Sequence, residues 1–289
     1  MKTPVPVYKI KTKEMLEAGF DILNLDSPLQ GRSYDASNFH RHTFFELFYF
    51  TRSGGFHEID FRKFPITAHS VHFVSPGQIH HLNLKSAKGY VICFTEEFYS
   101  LPGYGLISHQ FPFFGISHEP LLNLSKKENN ILSQQINLLV QAHRDTQGRG
   151  YEIMRSYVNV MLLTLKQIAI MQGRLLPDTD NRKIVSEFRH KVNEMFLKGL
   201  STRDYASLLH VTPNYLNSLC RKEAGKTATQ IIHERVLLEA KRLLYSTDLS
   251  VKEVSFGLNF ESPAYFTRFF KKQTATTPAL YREQFARNR

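Results

Sequence analysis

Several features of other protein classes are missing from this chain. Its 289 residues include no tryptophan and only two cysteines, Cys93 and Cys220, which argues against a disulfide framework and fits a reducing compartment. It has no run of about 18 apolar residues, the length that marks a membrane-spanning helix. Residues 1–14 lack the apolar stretch of a secretory signal. These absences predict a cytoplasmic protein with no membrane partner.

Acidic residues are scarce in the C-terminal part. Residues 182–289 contain 19 Lys and Arg against 10 Asp and Glu, a net charge of +9, whereas residues 1–181 contain 18 against 16, a net of +2. A basic segment of this kind attracts phosphate and gives salt-dependent binding to nucleic acid. A basic helical domain without a nucleic-acid partner is the alternative, because charge asymmetry alone is a weak sign.

Residues 250–272 have the pattern of a helix-turn-helix unit. Ser250 is suited to cap a first short helix, and apolar residues at helical spacing would form its inner face: Val251, Val254 and Leu258. Asn259 stands where the turn needs positive φ, which Asn tolerates. Ser262 would cap a second helix that begins at Pro263, a residue without the N–H that would be unpaired there.

The second helix of this unit has two chemically different faces. Its inner face is predicted to be aromatic: Tyr265, Phe266, Phe269 and Phe270. The outer face carries small, hydrogen-bonding or cationic side chains, which suit a helix in a major groove: Ala264, Thr267, Arg268, Lys271 and Lys272. This helix is therefore a candidate recognition helix.

A weaker copy of the pattern lies at residues 202–223. Its turn would fall at His210 and Val211, before a helix capped by Thr212 and begun by Pro213. The predicted inner residues of that helix are Tyr215, Leu216 and Leu219. Its predicted outer residues, among which Asn suits adenine and Arg suits guanine or phosphate, are Asn214, Asn217, Ser218, Arg221 and Lys222. An amphipathic helix at residues 227–245 would join the two units.

This arrangement resembles the DNA-binding domain of the AraC/XylS family of bacterial transcription regulators. The resemblance covers residues 182–289 and rests on an ordered set of positions: Ala206, Thr212, Tyr215, Leu216, Arg235, Ala240, Phe260, Tyr265, Phe266, Arg268, Phe269, Phe270, Lys271, Thr277, Pro278, Tyr281 and Arg282. Asn259 and Ala275 depart from it where the family usually has glycine, and Cys220 replaces a usual aromatic residue. The resemblance implies a regulator that binds promoter or operator DNA, with RNA polymerase as a further partner, and that is not an enzyme.

The N-terminal part has a β-type pattern up to about residue 123. Short apolar and aromatic runs, separated by turn residues, predict strands at residues 44–50, 56–61, 70–74 and 90–94. Regularly spaced strands favour a small barrel or jelly roll. The fold class is therefore α+β, with a β-barrel domain followed by an all-α domain.

Two motifs in the β-type part resemble those of the cupin-like sensor domain that precedes the DNA-binding domain in many AraC/XylS regulators. They comprise His40, His42, Glu46 and Gly54, then Pro76, Gly77 and His80. Two imidazoles at alternate strand positions point the same way, and with a carboxylate and a third His they could bind a divalent metal. Related domains keep this pattern without metal, so we expect no metal and no cofactor.

The same four side chains, His40, His42, Glu46 and His80, are expected to line a pocket for a small-molecule effector in the barrel mouth. Aromatic side chains such as Phe44, Phe48 and Phe73 would lie nearby. The other histidines of this region are interpreted as ordinary strand residues: His57, His69, His72 and His81.

Residues 126–143 and 151–173 are predicted to form two long helices with apolar stripes. The resemblance implies that they form a homodimer interface; the alternative is that both pack on the barrel. The predicted domains are a sensor and dimerisation domain at residues 1–174, a linker at 175–181 and a DNA-binding domain at 182–289. Two other functions remain open: a cupin-type metal enzyme with an appended helical domain, and a DNA-binding protein without an effector.

Overall fold

The computed structural model describes residues 6–8, 19–26, 38–99, 107–115, 119–145, 150–175 and 179–286. They fall into two compact units, one within residues 6–175 and the other within residues 179–286. Within the described ranges, no helix is both long and apolar enough to cross a membrane. The predicted linker includes residues 176–178, which lie outside the described residues.

The N-terminal unit is built on antiparallel β-sheets. A five-stranded sheet has the order β10-β7-β4-β9-β2, a three-stranded sheet has the order β6-β5-β8, and β1 pairs with β3 in parallel. The strands are β1 (Val7–Tyr8), β2 (Phe20–Asn24), β3 (Arg41–His42), β4 (Phe45–Arg52), β5 (Phe56–Ile59), β6 (Arg62–Pro65), β7 (Ser70–Val74), β8 (His80–Asn83), β9 (Lys88–Phe94) and β10 (Leu121–Asn123).

Both faces of the five-stranded sheet are buried. Alternate residues of a strand point to opposite sides, so each strand contributes to two cores. Leu47 and Phe73 belong to a core shared with the helices that follow, whereas Phe48 and Val91 belong to a second core shared with the three-stranded sheet. The prediction that Phe73 lies beside the histidine motifs is therefore wrong. Phe73 adjoins His72 in sequence, and this places its ring on the other face of the sheet.

Among the described residues, this unit has one 3₁₀ helix, Pro112–Phe114, and four α-helices: α1 (Glu96–Tyr99), α2 (Ile107–Gln110), α3 (Lys126–Asp145) and α4 (Tyr151–Met171). The predicted apolar stripes of the two long helices are buried against the sheet: Leu132, Ile136, Leu139, Val158, Met161, Leu162, Leu165 and Ile168. These residues are inside the unit and are not a dimer surface. Packing on the sheet, the alternative of the sequence analysis, is what the structure shows.

The C-terminal unit is helical. Its α-helices are α5 (Asp180–Met195), α6 (Thr202–Leu208), α7 (Pro213–Ala224), α8 (Ala228–Ser246), α9 (Val251–Gly257), α10 (Pro263–Thr274) and α11 (Pro278–Ala286). The α+β class, with an antiparallel-sheet unit before an all-helical unit, is confirmed. α6 and α7 form the first helix-turn-helix unit, and α9 and α10 form the second.

Side-chain caps set the helix starts in this unit. Thr212 and Ser262 accept hydrogen bonds from the backbone N–H groups of Tyr215 and Tyr265, as predicted from the Thr-Pro and Ser-Pro pairs. The predicted positive φ of Asn259 is confirmed at 62°.

α8 connects the two helix-turn-helix units, because it contributes residues to the cores of both. Ala228 and Ile231, near its start, lie in the core of the first unit, whereas Ala240 and Leu244, near its end, lie in the core of the second. One continuous helix therefore holds both units in a fixed relation.

Two predicted core residues of the recognition helices are exposed. Tyr215 is 44% exposed and Tyr265 is 53% exposed, so the prediction for both was wrong. Each precedes the residue that fills the core, Leu216 or Phe266, and one step along a helix rotates the side chain by about 100°. The two tyrosines therefore lie on the flanks of α7 and α10.

Candidate functional site

The outer faces of α7 and α10 carry the predicted DNA-contacting residues. Eight of them are exposed: Asn214, Ser218, Arg221, Lys222, Ala264, Arg268, Lys271 and Lys272. The other two, Asn217 and Thr267, are partly buried. Each helix therefore presents polar or cationic side chains on the face opposite its core.

Asn217 has a contact that the sequence did not reveal. Its side-chain Oδ1 accepts a hydrogen bond of 3.0 Å from the backbone N–H of Ala228, the first residue of α8. A bidentate contact with adenine needs both the carbonyl and the amino group of an Asn. One lone pair of Oδ1 and the amino group remain for DNA, and the bond to Ala228 fixes the orientation of the Asn217 side chain.

Thr267 is also engaged within its own helix. Its hydroxyl donates to the backbone carbonyl of Pro263 at 2.8 Å. The hydroxyl oxygen can still accept a hydrogen bond, and the methyl group suits an apolar contact with thymine.

A groove of about 540 Å³ runs beside the first recognition helix. Asn214, Ser218 and Arg221 line it from α7, and Thr227 and Thr229 line it from the start of α8. Polar side chains therefore border α7 on the side where α8 begins.

The four predicted pocket residues of the N-terminal unit come together between its five-stranded and three-stranded sheets. His40, His42, Glu46 and His80 are each no more than 1% exposed. A Glu46 carboxylate oxygen, Oε2, lies 3.1 Å from Nε2 of His42 and 3.5 Å from Nε2 of His80. The site is closed around these side chains, and this arrangement suits an ion better than a metabolite.

Main-chain carbonyls orient two of these histidines. Nδ1 of His40 lies 2.8 Å from the carbonyl oxygen of Asn38, and Nδ1 of His42 lies 2.6 Å from that of Phe44. A carbonyl can only accept, so both Nδ1 atoms carry the proton and both Nε2 atoms carry a lone pair in the neutral ring.

Sequence reasoning missed two members of this cluster, His57 and His72. Both are fully buried, and Nε2 of His57 lies 3.0 Å from Nδ1 of His80. Burial lowers the pKa of His72 to about 3 and holds that of His57 well below its ordinary value. The sequence contained a signal for His72, because Ser70, His72 and Val74 occupy alternate positions of one strand and share its inward face. A polar residue on a buried face is a candidate functional residue.

A metal ion fits part of the cluster. One ligand atom from each of His42, Glu46 and His80 lies within 4.8 Å of the others. Imidazole and carboxylate ligands suit divalent zinc, iron, nickel or manganese. His40 lies beside this trio, its ring centroid 4.1 Å from that of His80.

A separate cavity of about 300 Å³ lies on the helical side of the five-stranded sheet. It is lined by Phe73, Phe113, Glu119, Leu121, Leu122, Ala169, Arg174 and Leu175. Arg174 pairs with Glu119 at 2.9 Å and also donates to the carbonyl of Leu121. Its volume is at the lower end of the range for small-molecule sites.

Known proteins resemble mainly the helical unit. A helix-turn-helix domain family matches residues 205–284. The chain is 23% identical over 257 residues to YfiF of Bacillus subtilis, an uncharacterized HTH-type transcriptional regulator, covering 85% of this chain and 79% of YfiF. It is 30% identical over 105 residues to YijO of Escherichia coli, another uncharacterized HTH-type transcriptional regulator, covering 36% of this chain and 37% of YijO.

A solved structure also matches. It is a transcriptional regulator with an AraC-type DNA-binding domain from Chromobacterium violaceum, which is 23% identical with a TM-score of 0.35. The match covers 38% of this chain and 97% of that chain. The residues matched by the helix-turn-helix family begin in α6 and end in α11, so they include both recognition helices.

Proposed function

We propose that this chain, a DNA-binding transcription regulator of the AraC/XylS family, reads two successive major-groove segments without catalysing a reaction. α7 enters one segment and α10 enters the other, about one helical turn or 34 Å away. The observation that carries this proposal is α8, which belongs to both cores and holds two helices whose outer faces are polar and cationic.

The outer residues divide into two roles. Asn214, Ser218, Thr267 and Arg268 contact base edges, and the small Ala264 allows close approach of α10. Arg221, Lys222, Lys271 and Lys272 hold phosphates, which gives affinity without sequence preference. Asn217 accepts a hydrogen bond from the start of α8 and offers its amino group and the second lone pair of its Oδ1 to a base edge.

Selection of bound sequences from a random duplex library tests the proposal. The full-length protein is used at physiological salt, where non-specific binding is weak. We expect enrichment of two boxes one helical turn apart. Salt-sensitive binding without enrichment would favour a ligand-independent architectural protein, and absence of binding with and without candidate effectors would contradict the proposal.

Dimerisation is proposed through the outer faces of α3 and α4. Large apolar side chains on these faces are 43–52% exposed: Ile131, Leu138, Ile153, Val160 and Leu163. Gln135 donates to Thr164 at 2.9 Å and links the two helices, so that they can present one surface to a second copy of this chain. Sedimentation should show a dimer that Leu163→Lys converts to monomer, whereas Thr51→Lys, at an exposed residue of β4, should leave it intact.

An organic effector is proposed to occupy the 300 Å³ cavity, because the side chains of the histidine cluster are no more than 1% exposed. Leu175 lines this cavity and is the first residue of the predicted linker. Ala169→Phe, which fills the cavity, should reduce the fluorescence of the apolar probe ANS bound to the protein. Ala68→Phe, at an exposed site, is the control; equal fluorescence from wild type and Ala169→Phe would exclude this cavity.

A further inference from the structure

The first turn of α5 contacts the first recognition helix, α7, near both of its ends. The Tyr215 hydroxyl donates to Oδ1 of Asn181 at 3.2 Å. Nε of Arg182 lies 2.8 Å from a carboxylate oxygen of Glu223. We propose that Asn181 and Arg182 are positioning residues, which hold α7 in the orientation that reads the first box, the one assigned to α7. This inference rests on the proposed DNA-reading function.

Glu223 lies on the inner face of α7. It follows Leu219 by about one helical turn, and Leu219 is part of the core of the first helix-turn-helix unit. The Glu223 side chain is 9% exposed, whereas Arg221 and Lys222, immediately before it, are exposed. A carboxylate in such a position needs a compensating charge, and Arg182 provides it from α5.

Neither charge of this pair stabilises its own helix. Arg182 is in the first turn of α5, where the helix dipole favours anions. Glu223 is in the last turn of α7, where the dipole favours cations. Each side chain is therefore unfavourable to the helix that carries it and is compensated by the other. The pair is consequently a contact between helices, and it fixes α7 against α5.

Tyr215 adds a second contact at the other end of α7. It is the third residue of the helix and Glu223 is the eleventh, so the two lie about 12 Å apart along the axis. A helix that rests on a core along one side can still roll about its own axis. Two polar contacts this far apart oppose the roll, which would move Asn214 and Ser218 relative to the base edges.

The second recognition helix, α10, packs against other elements. The ring of Phe269 meets that of His233 in α8, with the centroids 5.3 Å apart. The ring of Phe270 meets that of Tyr281 in α11, also at 5.3 Å. The second box, assigned to α10, therefore serves as an internal reference for changes made in α5.

The test uses the full-length protein and duplexes that carry the selected site, with single-base changes in one box at a time. We expect Arg182→Ala to weaken binding about 3- to 10-fold. It should also reduce the preference for the correct bases in the first box and leave that in the second box unchanged.

Lys183→Ala is the matched control. It removes the same charge one residue away, but Lys183 pairs with Asp180 of its own helix, and both side chains are exposed. The preference in the first box should therefore stay as in the wild type.

A swapped pair separates the contact from general damage. Arg182→Glu and Glu223→Arg should each reduce the preference in the first box, because each places two like charges together. The two substitutions combined restore an ion pair and should return this preference toward that of the wild type. Tyr215→Phe removes only the hydroxyl and should act in the same direction as Arg182→Ala, by a smaller factor.

Amide hydrogen exchange without DNA gives a second readout. Arg182→Ala and Tyr215→Phe should each speed exchange in α7 about 2- to 5-fold and leave exchange in α10 unchanged. Circular dichroism checks folding. If Arg182→Ala does not fold, Tyr215→Phe provides the test, because it removes a single exposed hydroxyl.

A first-box preference that both Arg182→Ala and Tyr215→Phe leave unchanged would overturn the positioning role, whatever the exchange shows. An equal loss of preference in both boxes would also overturn it, because a general loss of the fold acts on both helices. Wild-type protein that binds no duplex would contradict the proposed function instead. The exchange in α7 then decides whether α5 holds this helix.

Discussion

The first and second helix-turn-helix units use the same backbone devices with different side chains. In each turn a non-glycine residue has positive φ: His210 at 54° in the first unit and Asn259 at 62° in the second. Each recognition helix begins with a capping hydroxyl residue followed by proline, and ends at a residue with positive φ, Gly225 or Ala275. The backbone plan is therefore repeated almost unchanged.

The cores and the outer faces are not repeated. Cys220 fills the core position in α7 that Phe270 fills in α10, and the second core also receives the rings of Phe260, Phe266 and Phe269. On the outer faces, Ser218 in α7 corresponds to Arg268 in α10. Caps and turns define the unit, whereas the outer residues are free to differ, so the two units are suited to read different base sequences.

The largest expected difference is in core stability. Leu216→Ala should cost about 2–5 kcal/mol and Phe266→Ala about 3–5 kcal/mol, because both side chains are fully buried. Amide hydrogen exchange in α7 and α10 of the full-length protein would measure each loss. Tyr215→Ala and Tyr265→Ala are the controls and should cost far less; a comparable loss would show that the flanking tyrosines support the cores.

The second largest expected effect is on DNA binding by the outer face of α10. Arg268→Ala should cost about 1–3 kcal/mol of binding to the selected duplex and relax specificity in the second box. Lys272→Ala should weaken binding to all sequences alike and reduce the salt dependence. Binding curves on selected and single-base-altered duplexes check this, and full sequence preference in Arg268→Ala would remove Arg268 from the base-contacting set.

Substitutions at the ends of α7 and α10 should change stability by a smaller amount and in opposite directions. Gly225→Ala should lower stability by about 1 kcal/mol, and Ala275→Gly should raise it by a similar amount, because an alanine side chain is strained at positive φ. Nothing lies within 4 Å of a Cβ added at Gly225, so the effect is conformational. Gly257→Ala, at a helical glycine without positive φ, should be stabilising; a loss there would point to a general glycine effect.

The smallest expected effect is on the pH dependence of stability at acidic pH. Asp204 at the start of α6 and Glu253 at the start of α9 accept hydrogen bonds from Ser201 and Ser250, and these lower the pKa of each carboxyl below its ordinary value of 3.8 or 4.5. A lowered folded-state pKa adds stability above the ordinary value, and this stability is lost as pH falls through the folded-state pKa.

The second unit should consequently begin to lose this contribution at higher pH than the first. Melting temperatures from neutral pH to about pH 3 would measure the loss. Asp204→Asn and Glu253→Gln should flatten the profile by removing the titrating group. Unchanged profiles in both variants would mean that the capping boxes do not contribute to acid sensitivity.

Local signals in the sequence predicted much of the helical unit. The caps at Thr212 and Ser262 and the positive φ of Asn259 depend on a few neighbouring residues, and these predictions are confirmed. The exposure of Tyr215 and Tyr265 was missed, because a periodic pattern places adjacent apolar residues on one face without deciding which of them fills the core.

Tertiary contacts account for the other differences. The bond from Ala228 to Asn217 joins two helices, and no pattern within α7 predicts it. The hydrogen bonds from Ser70 through His72 and His57 to His80 cross between the five-stranded and three-stranded sheets. They could not be predicted from the pattern of any single strand. For α3 and α4, the sequence showed apolar stripes, but only the structure shows that the sheet covers them.

The shared helix α8 also constrains how promoters for this protein can evolve. In the proposed complex, base substitutions within a box alter contacts at one recognition helix and leave the other in place. An insertion of one base pair between the boxes instead turns the second box by about 35° around the DNA axis, since a turn holds about 10.5 base pairs. α8 cannot follow this rotation without breaking a core, so binding sites should vary in sequence while their spacing is inherited unchanged.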